Sequence, residues 1–107
     1  MIDAPESAAQ GGAFSIVDGG WAFGGALTLD DAADVLEASR ALPLPATGIV
    51  DFSGLMQGDS AALAVMLALK RRAAAEDRTL TLTGLPASLR SLAVVYGVDH
   101  YLADAAS

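Results

Sequence analysis

The sequence contains no cysteine and a single histidine, and only six of its 107 residues are lysine or arginine. Without cysteine there is no disulfide, no thiol nucleophile and no cysteine-based zinc site. One histidine is too few for a histidine metal site or a recognisable catalytic triad. The motifs HExxH, GxSxG, GxxxxGK[ST] and GxGxxG are missing as well. We therefore predict that the chain is not an enzyme and has neither a metal site nor a cofactor.

Basic charge is scarce, because six lysines and arginines stand against 13 acids and the formal net charge is −7. The only cluster of bases is Lys70-Arg71-Arg72. Seven acids and no lysine or arginine occur between Met1 and Ser39. Such a field disfavours nucleic acid and anionic lipid as partners and favours a positively charged protein.

Long hydrophobic runs are missing too, because the longest, Ala61 to Leu69, is far shorter than the roughly 20 residues of a membrane span.

The N-terminal segment is polar, with neither the basic nor the apolar region of a secretory signal. We predict that residues 1–11 form a flexible tail and that residues 12–107 form one domain. With no membrane span and no signal, the sequence predicts a soluble, cytoplasmic protein.

The order of strand and helix signals is β-β-α-β-α-β-α. Asp18-Gly19-Gly20 is a hairpin turn signal between two short strands. The remaining elements are predicted at Thr28–Ala41 (helix), Thr47–Phe52 (strand), Ser60 to Ala75 (helix), Thr79–Thr83 (strand) and a helix from Pro86 that ends at Gly97. Val98 to Leu102 is expected to add a short strand or turn. Since βαβ connections give parallel pairs, these signals predict an α/β fold. We expect a mixed sheet of four to five strands with three helices mainly on one face.

The two longer helices carry the most informative patterns. In the first, Leu29 is predicted to join an apolar stripe, and Asp30, Asp31 and Asp34 match the helix dipole rather than a metal. The second is apolar nearly all round over its first half, whereas a sheet covers only about one stripe of a helix. This surplus requires a second contact, which is either a neighbouring helix or another protein.

The loop between the third strand and the second helix, Ser53 to Ser60, contains the most interesting hydroxyl. Either Asp59 or Ser60 can cap the helix. A phosphate on Ser60 would place about two negative charges on a surface of small and apolar residues, near Asp51 and Asp59. Phosphorylation there would release a docked partner. An enzyme or ligand-binding domain that used Asp51 and Ser60 would need a base or a metal, which the sequence does not supply.

Two long segments, VDFSGLMQGDSAALAVMLALKRRA and TLTLTGLPASLRSLAVVYGVDHYL, resemble the STAS domain family over residues 12 to 102. In that family a strand ending in Asp leads through a loop to Asp-Ser or Asp-Thr and then a helix. Here Asp51 lies at the carboxyl end of the predicted third strand. Within it, the ending LRSLAVVYGVDHYL is most similar to the MlaB-type branch, the cytoplasmic STAS subunits of bacterial phospholipid-transport ABC complexes that maintain outer-membrane lipid asymmetry.

The resemblance implies a non-catalytic subunit that binds an MlaF-like ABC ATPase at the inner face of the inner membrane. The second branch is that of anti-anti-sigma factors, in which a serine matching Ser60 is phosphorylated by a serine-kinase anti-sigma factor. For the MlaB-type branch the matching contact region is the loop from Ser53 to Ser60 and the start of the second helix. The partner-binding residues predicted there are Ser53, Gly54, Leu55, Gln57, Asp59, Ser60, Ala61, Leu63, Ala64 and Leu67, with Asp51 in support.

Overall fold

A computed structural model describes residues 12–102 of the chain, so the predicted tail at residues 1–11 lies outside the described residues. The described elements are β1 (Ala13–Val17), β2 (Gly20–Leu27), α1 (Leu29–Arg40), β3 (Ile49–Gly58), α2 (Ser60–Ala75), β4 (Thr81–Thr83), α3 (Ala87–Val95) and α4 (Asp99–Leu102). Their order confirms the α/β pattern read from the sequence.

The four strands form one mixed sheet in the order β1-β2-β3-β4. The β1–β2 pair is antiparallel, and the β2–β3 and β3–β4 pairs are parallel. Asp18 and Gly19 in the hairpin turn both have positive φ, of 52° and 81°, as a type I′ turn requires. The predicted hairpin and the mixed sheet are therefore confirmed.

Helices cover one face of this sheet. Side chains alternate between the faces of a strand, and the inward positions carry large apolar groups. Trp21, Phe23, Val50 and Phe52 are almost fully buried, and the Trp21 indole donates a hydrogen bond to the Pro43 carbonyl over 3.1 Å. The outward positions of the same strands stay accessible and carry small or polar residues, apart from Ile49 at the start of β3.

The third strand is longer than predicted. We predicted a strand at residues 47–52 followed by a loop, but β3 continues through Gly58 and stays paired with β2 to its end. Asp51 therefore lies in the middle of the strand and not at its carboxyl end. Glycines such as those at positions 54 and 58 are typical of loops, yet here they permit a bulged strand to remain in the sheet.

A neighbouring helix covers much of the apolar surplus of α2, because α1 packs beside it. The core receives six residues from α2: Ala62, Leu63, Val65, Met66, Leu69 and Ala73. Arg72 then ties the two helices together. Its guanidinium donates to the carbonyls of Ser39 (3.0 Å) and Leu42 (2.7 Å), at the end of α1.

The C-terminal elements differ slightly from prediction. Gly97, with φ of +72°, follows α3 as the predicted left-handed cap, and the Val98 amide returns to the Ala93 carbonyl over 2.9 Å. The segment after it forms α4, a single helical turn, and not the expected strand or turn. The segment packs against α2 and α3 instead of extending the sheet beside its edge strand β4.

Candidate functional site

Asp59 joins the starts of the two longer helices. It is the N-cap of α2, and one carboxylate oxygen, Oδ1, accepts a hydrogen bond from the Ala61 amide over 2.8 Å. Its other oxygen, Oδ2, accepts from the Leu29 amide over 3.1 Å, at the first residue of α1. Of the two predicted caps, Asp59 is therefore the one used. Ser60 is the first helical residue and is exposed.

The start of α1 is itself strongly acidic. Thr28 caps the helix, and Asp31 accepts hydrogen bonds from the Thr28 amide (3.2 Å) and hydroxyl (2.9 Å). Asp30 and Asp34 are exposed beside it. Both helix starts follow the carboxyl ends of parallel strands, the usual location of sites in α/β proteins. The carboxylates of Asp31 and Asp59 already accept hydrogen bonds from backbone amides at these helix starts, so the electrostatic field at this edge is negative.

Two β-bulges shape the second half of β3. Between the pairs Ala22–Asp51 and Gly24–Gly54, β3 advances one residue more than β2, and it does so again between Gly25–Leu55 and Ala26–Gln57. One extra residue in a strand moves the following side chains to the opposite face. This is why Leu55 points into the core while the residues on both sides of it are exposed.

Gly54 allows the first bulge because the β2 backbone passes very close to it. A Cβ atom at this position would lie 2.7 Å from the Phe23 carbonyl oxygen, well inside normal contact distance. Only glycine fits there without a backbone shift.

Asp51 organises the same bulge from the open face of the sheet. Its carboxylate accepts from the Ser53 amide (2.9 Å) and hydroxyl (3.0 Å), and weakly from the Thr83 hydroxyl (3.5 Å). The two Ser53 hydrogen bonds lower the pKa of Asp51 below its ordinary value, despite partial burial, which acts to raise it. Asp51 is thus held as a carboxylate.

Asp51 and Ser60 do not form one site. Asp51 pairs with Ala22 on β2, and Gly58, two residues before Ser60, pairs with Leu27. The stretch of β2 from Ala22 to Leu27 is roughly 17 Å long at about 3.3 Å per residue, so Asp51 lies at least that far from the end of β3. Asp51 therefore supports the bulge rather than acting on Ser60, and the two cannot serve as a nucleophile and its base.

The predicted contact residues fall into three groups by exposure. Exposed residues are Ser53, Gly54, Gln57, Ser60 and Ala64, and half-buried residues are Asp59, Ala61 and Leu67. Leu55 and Leu63 are only 8% and 3% exposed and belong to the core. These two support the surface from below and do not form it.

Two residues that the sequence reasoning did not select are the most exposed large apolar side chains at this edge. Met56 is 85% exposed and Leu29 is 77% exposed. Met56 occupies the second bulge, and Leu29, which we assigned to the apolar stripe of α1, lies at the helix start instead. The only feature of the sequence that indicates a bulge here is the pair of glycines, Gly54 and Gly58, that flank Leu55 and Met56.

Within residues 12–102, no cluster of three or more histidine, aspartate or glutamate side chains is arranged to hold a metal ion. None of the helices in that range combines the length and the hydropathy needed to span a bilayer. What the edge does offer is an exposed surface of small, apolar and acidic residues, which is suited to contact with another protein.

Comparison with known proteins agrees with this arrangement. The family model described as "Mlab, STAS domain" matches residues 22–104, which is most of the chain. No curated protein matches the sequence. STAS domains are generally non-catalytic and commonly interact with partner proteins. The chain therefore belongs to the STAS domain family and is MlaB-like.

Proposed function

We propose that this protein is the STAS subunit of a bacterial phospholipid-transport ABC complex of the Mla type, which maintains outer-membrane lipid asymmetry. It binds and supports the ATPase subunit at the cytoplasmic face of the inner membrane. The observation that carries the proposal is the match of the MlaB-type family model to residues 22–104. The edge of the sheet around the start of α2 is the surface through which we propose that it binds.

The chemistry of this edge supports docking rather than catalysis. Ser60 is exposed, Gln57 and Ala64 are exposed near it in the chain, and Leu67 is half-buried one helical turn further along. Small residues at a helix start allow the backbone of a partner to approach closely. The acids Asp30 and Asp34, exposed on α1, would complement basic side chains on that partner.

A second candidate function is an anti-anti-sigma factor that is switched by phosphorylation of Ser60. The specific observation in its favour is that Ser60 is exposed at the first position of α2. Because Asp59 already accepts from the Ala61 amide, a phosphate on Ser60 would compete with a carboxylate for that donor. Added charge there would weaken docking and release a serine-kinase anti-sigma factor.

The decisive experiment is to co-express the tagged protein with an MlaF-like ABC ATPase from the same genome and to measure co-purification. We expect a stable complex for the wild type and at least about a tenfold loss of affinity for Ser60→Glu, because a charge would then lie inside the interface. The matched control is Ser88→Glu, which introduces the same charge at an exposed position in the first turn of α3.

A Ser60→Glu variant that binds as the wild type does would contradict the proposed surface. If the wild type instead captures a soluble serine kinase that labels Ser60, the sigma-regulatory function replaces the transporter function. Circular dichroism of both variants would show that the domain remains folded.

A further inference from the structure

The two edges of the sheet differ in how they are protected from pairing with another strand. β4 forms one edge and is only three residues long, and short edge strands are one way in which proteins limit such pairing. β1 forms the other edge and runs for five residues, Ala-Phe-Ser-Ile-Val, without a charge or a proline. Within residues 12–102 no strand pairs with its outer side. Every second residue of β1 therefore directs its N–H and C=O groups away from β2, where an added strand can bind them.

The apolar side chains of β1 also lack a lateral neighbour. Phe14 and Ile16 are paired with Phe23 and Trp21, so all four face the layer of helices. Phe23 and Trp21 are each only 2% exposed, whereas Ile16 is 55% exposed and Phe14 is half-buried. The apolar face of the sheet thus continues beyond the part that the helices cover, and one more strand beside β1 would cover the rest.

A cleft of about 410 Å³ lies between β1 and α1. It is far larger than the roughly 10–15 Å³ that one water molecule needs, and it falls within the roughly 300–1,000 Å³ of ligand pockets. Among the described residues, none of β2 or β3 lines it, so it lies at the β1 edge. Its lining is mainly apolar with two acids, and includes Phe14, Asp31, Asp34, Val35, Ala38 and Leu42.

An unpaired strand edge beside such a cleft has the two parts that strand addition uses. The main chain of an extended peptide pairs with the edge and provides affinity, and pockets for alternate side chains provide specificity. A ligand that used the cleft alone would leave the edge of β1 unpaired, so the two features together favour a peptide.

Charge decides which peptide fits. Asp31 and Asp34 line the cleft, and a second copy of this chain would bring the same two acids to the contact. Residues 1–11 carry Asp3 and Glu6 but no lysine or arginine, so their charge also matches the cleft poorly. A segment with a lysine or arginine near an apolar side chain complements it.

We propose that β1 and the cleft beside it bind an extended segment of a partner protein by strand addition. The segment pairs its main chain with the free edge of β1, places an apolar side chain in the cleft and sets a lysine or arginine against Asp34. This inference rests on the β1 edge and the cleft, and it does not require the function proposed above.

Hydrogen exchange of the whole chain, followed by NMR, tests whether the edge is free. Every second amide of β1 should be protected by β2, and the amides between them should exchange about tenfold faster or more, since no strand protects them. Slow exchange at every amide of β1 would mean that another part of the chain, such as residues 1–11, already covers the edge. That result would overturn the proposal.

A selected peptide tests binding. A displayed library of random eight-residue peptides is selected against the purified whole chain, and the most enriched peptide is labelled for measurement of its Kd. We expect apolar residues at alternate positions and at least one lysine or arginine. A selection that enriches no such peptide would refute the proposal.

N-methylation of that peptide separates strand addition from other modes of binding. One version carries N-methyl groups at its odd positions and another at its even positions. Because a strand added at an edge pairs through only one of its sides, one version should bind about tenfold more weakly or worse, and the other should bind as the unmodified peptide does. Equal affinities of the two versions would exclude strand addition.

Variants of α1 test the cleft. Ala38 is exposed and lines the cleft, so Ala38→Leu should fill it and weaken peptide binding by about tenfold. The matched control is Ala33→Leu, the same change at an exposed position of α1 outside the described lining, which should bind as the wild type does.

The charge is tested in the same assay. Asp34→Asn should weaken the basic peptide by about twofold to fivefold, as exposed ion pairs do. Asp30→Asn removes an exposed charge outside the described lining and should have no such effect. Wild-type affinity in both Ala38→Leu and Asp34→Asn would place the peptide elsewhere and refute the assignment. Identical melting curves for the variants exclude unfolding as the cause of lost affinity.

Discussion

Gly24 and Gly54 face each other across β2 and β3, yet they differ in what an added methyl group would meet. At Gly54 a Cβ would lie 2.7 Å from the Phe23 carbonyl oxygen and 3.3 Å from the Gly24 Cα. At Gly24 nothing lies within 4 Å of the corresponding Cβ. The pair thus offers the same substitution at partner positions with opposite expected effects.

For Gly54→Ala, the first bulge must open or the two strands must separate, because the nearest atom is backbone and cannot rotate away. Overpacking of this kind costs about 1–3 kcal/mol. Gly24→Ala has space, and replacing glycine by alanine in a strand is worth roughly 0.5–1 kcal/mol. That gain applies to both substitutions and cancels in the comparison, so the two variants should differ in unfolding free energy by the overpacking cost of about 1–3 kcal/mol, with Gly54→Ala the less stable.

Urea denaturation is the appropriate assay, because the single tryptophan, Trp21, is only 2% exposed and its fluorescence will report unfolding. Far-UV circular dichroism followed in parallel checks that the transition is two-state. At about 4–8 °C per kcal/mol for a domain near this size, thermal melting would resolve the difference too. Equal stability of the two variants would refute the reasoning, as would a larger loss for Gly24→Ala.

Three further predictions concern the groups that hold the site in place. Because the pKa of Asp51 is lowered in the folded state, its carboxylate stabilises the fold above the ordinary value of 3.8. That contribution disappears as the pH falls through the lowered pKa. The difference in unfolding free energy between the wild type and Asp51→Asn, measured by urea denaturation, should therefore become smaller at acid pH, and a larger difference there would contradict this prediction. Arg72→Met should cost about 1.5–3 kcal/mol by removing two charged hydrogen bonds to carbonyls at the end of α1. Arg40→Met, which breaks only an exposed pair, should change stability by about 0.5 kcal/mol or less in the same denaturation assay, and equal losses would exclude the proposed role of Arg72. Leu63→Ala should cost about 2–5 kcal/mol as a core truncation, whereas Leu67→Ala should cost less, and the reverse order would mean that Leu63 faces solvent.

Much of the site could be predicted because its signals are local. An aspartate before a helix-forming run accepts from the first amides of that helix, so Asp59 was identifiable as one of two caps for α2. Asp18-Gly19 specified the hairpin turn, since both residues adopt positive φ easily. Each of these features depends on a few neighbouring residues.

The errors arose where distant residues decide the outcome. Glycines near positions 54 and 58 resemble a loop in sequence, and only pairing with β2 keeps this segment in the sheet. The two bulges then direct Leu55 inward and leave Met56 exposed. No periodicity predicts this result, because an inserted residue breaks the period. The sequence pattern likewise predicted that Leu63 contacts a partner, but it is buried in the core of this chain, where α1 packs beside α2.

The sequence by itself determined the element order, the caps and the family resemblance, because turn chemistry, helix capping and hydrophobic period act over a few residues. Tertiary structure alone decided the strand register, the burial of Leu55 and Leu63, and the bond from Asp59 to the Leu29 amide. That bond joins residues 30 positions apart. Both helix starts meet only because β2 and β3 pair in parallel and end at the same edge, and side-chain chemistry along the chain does not specify that meeting.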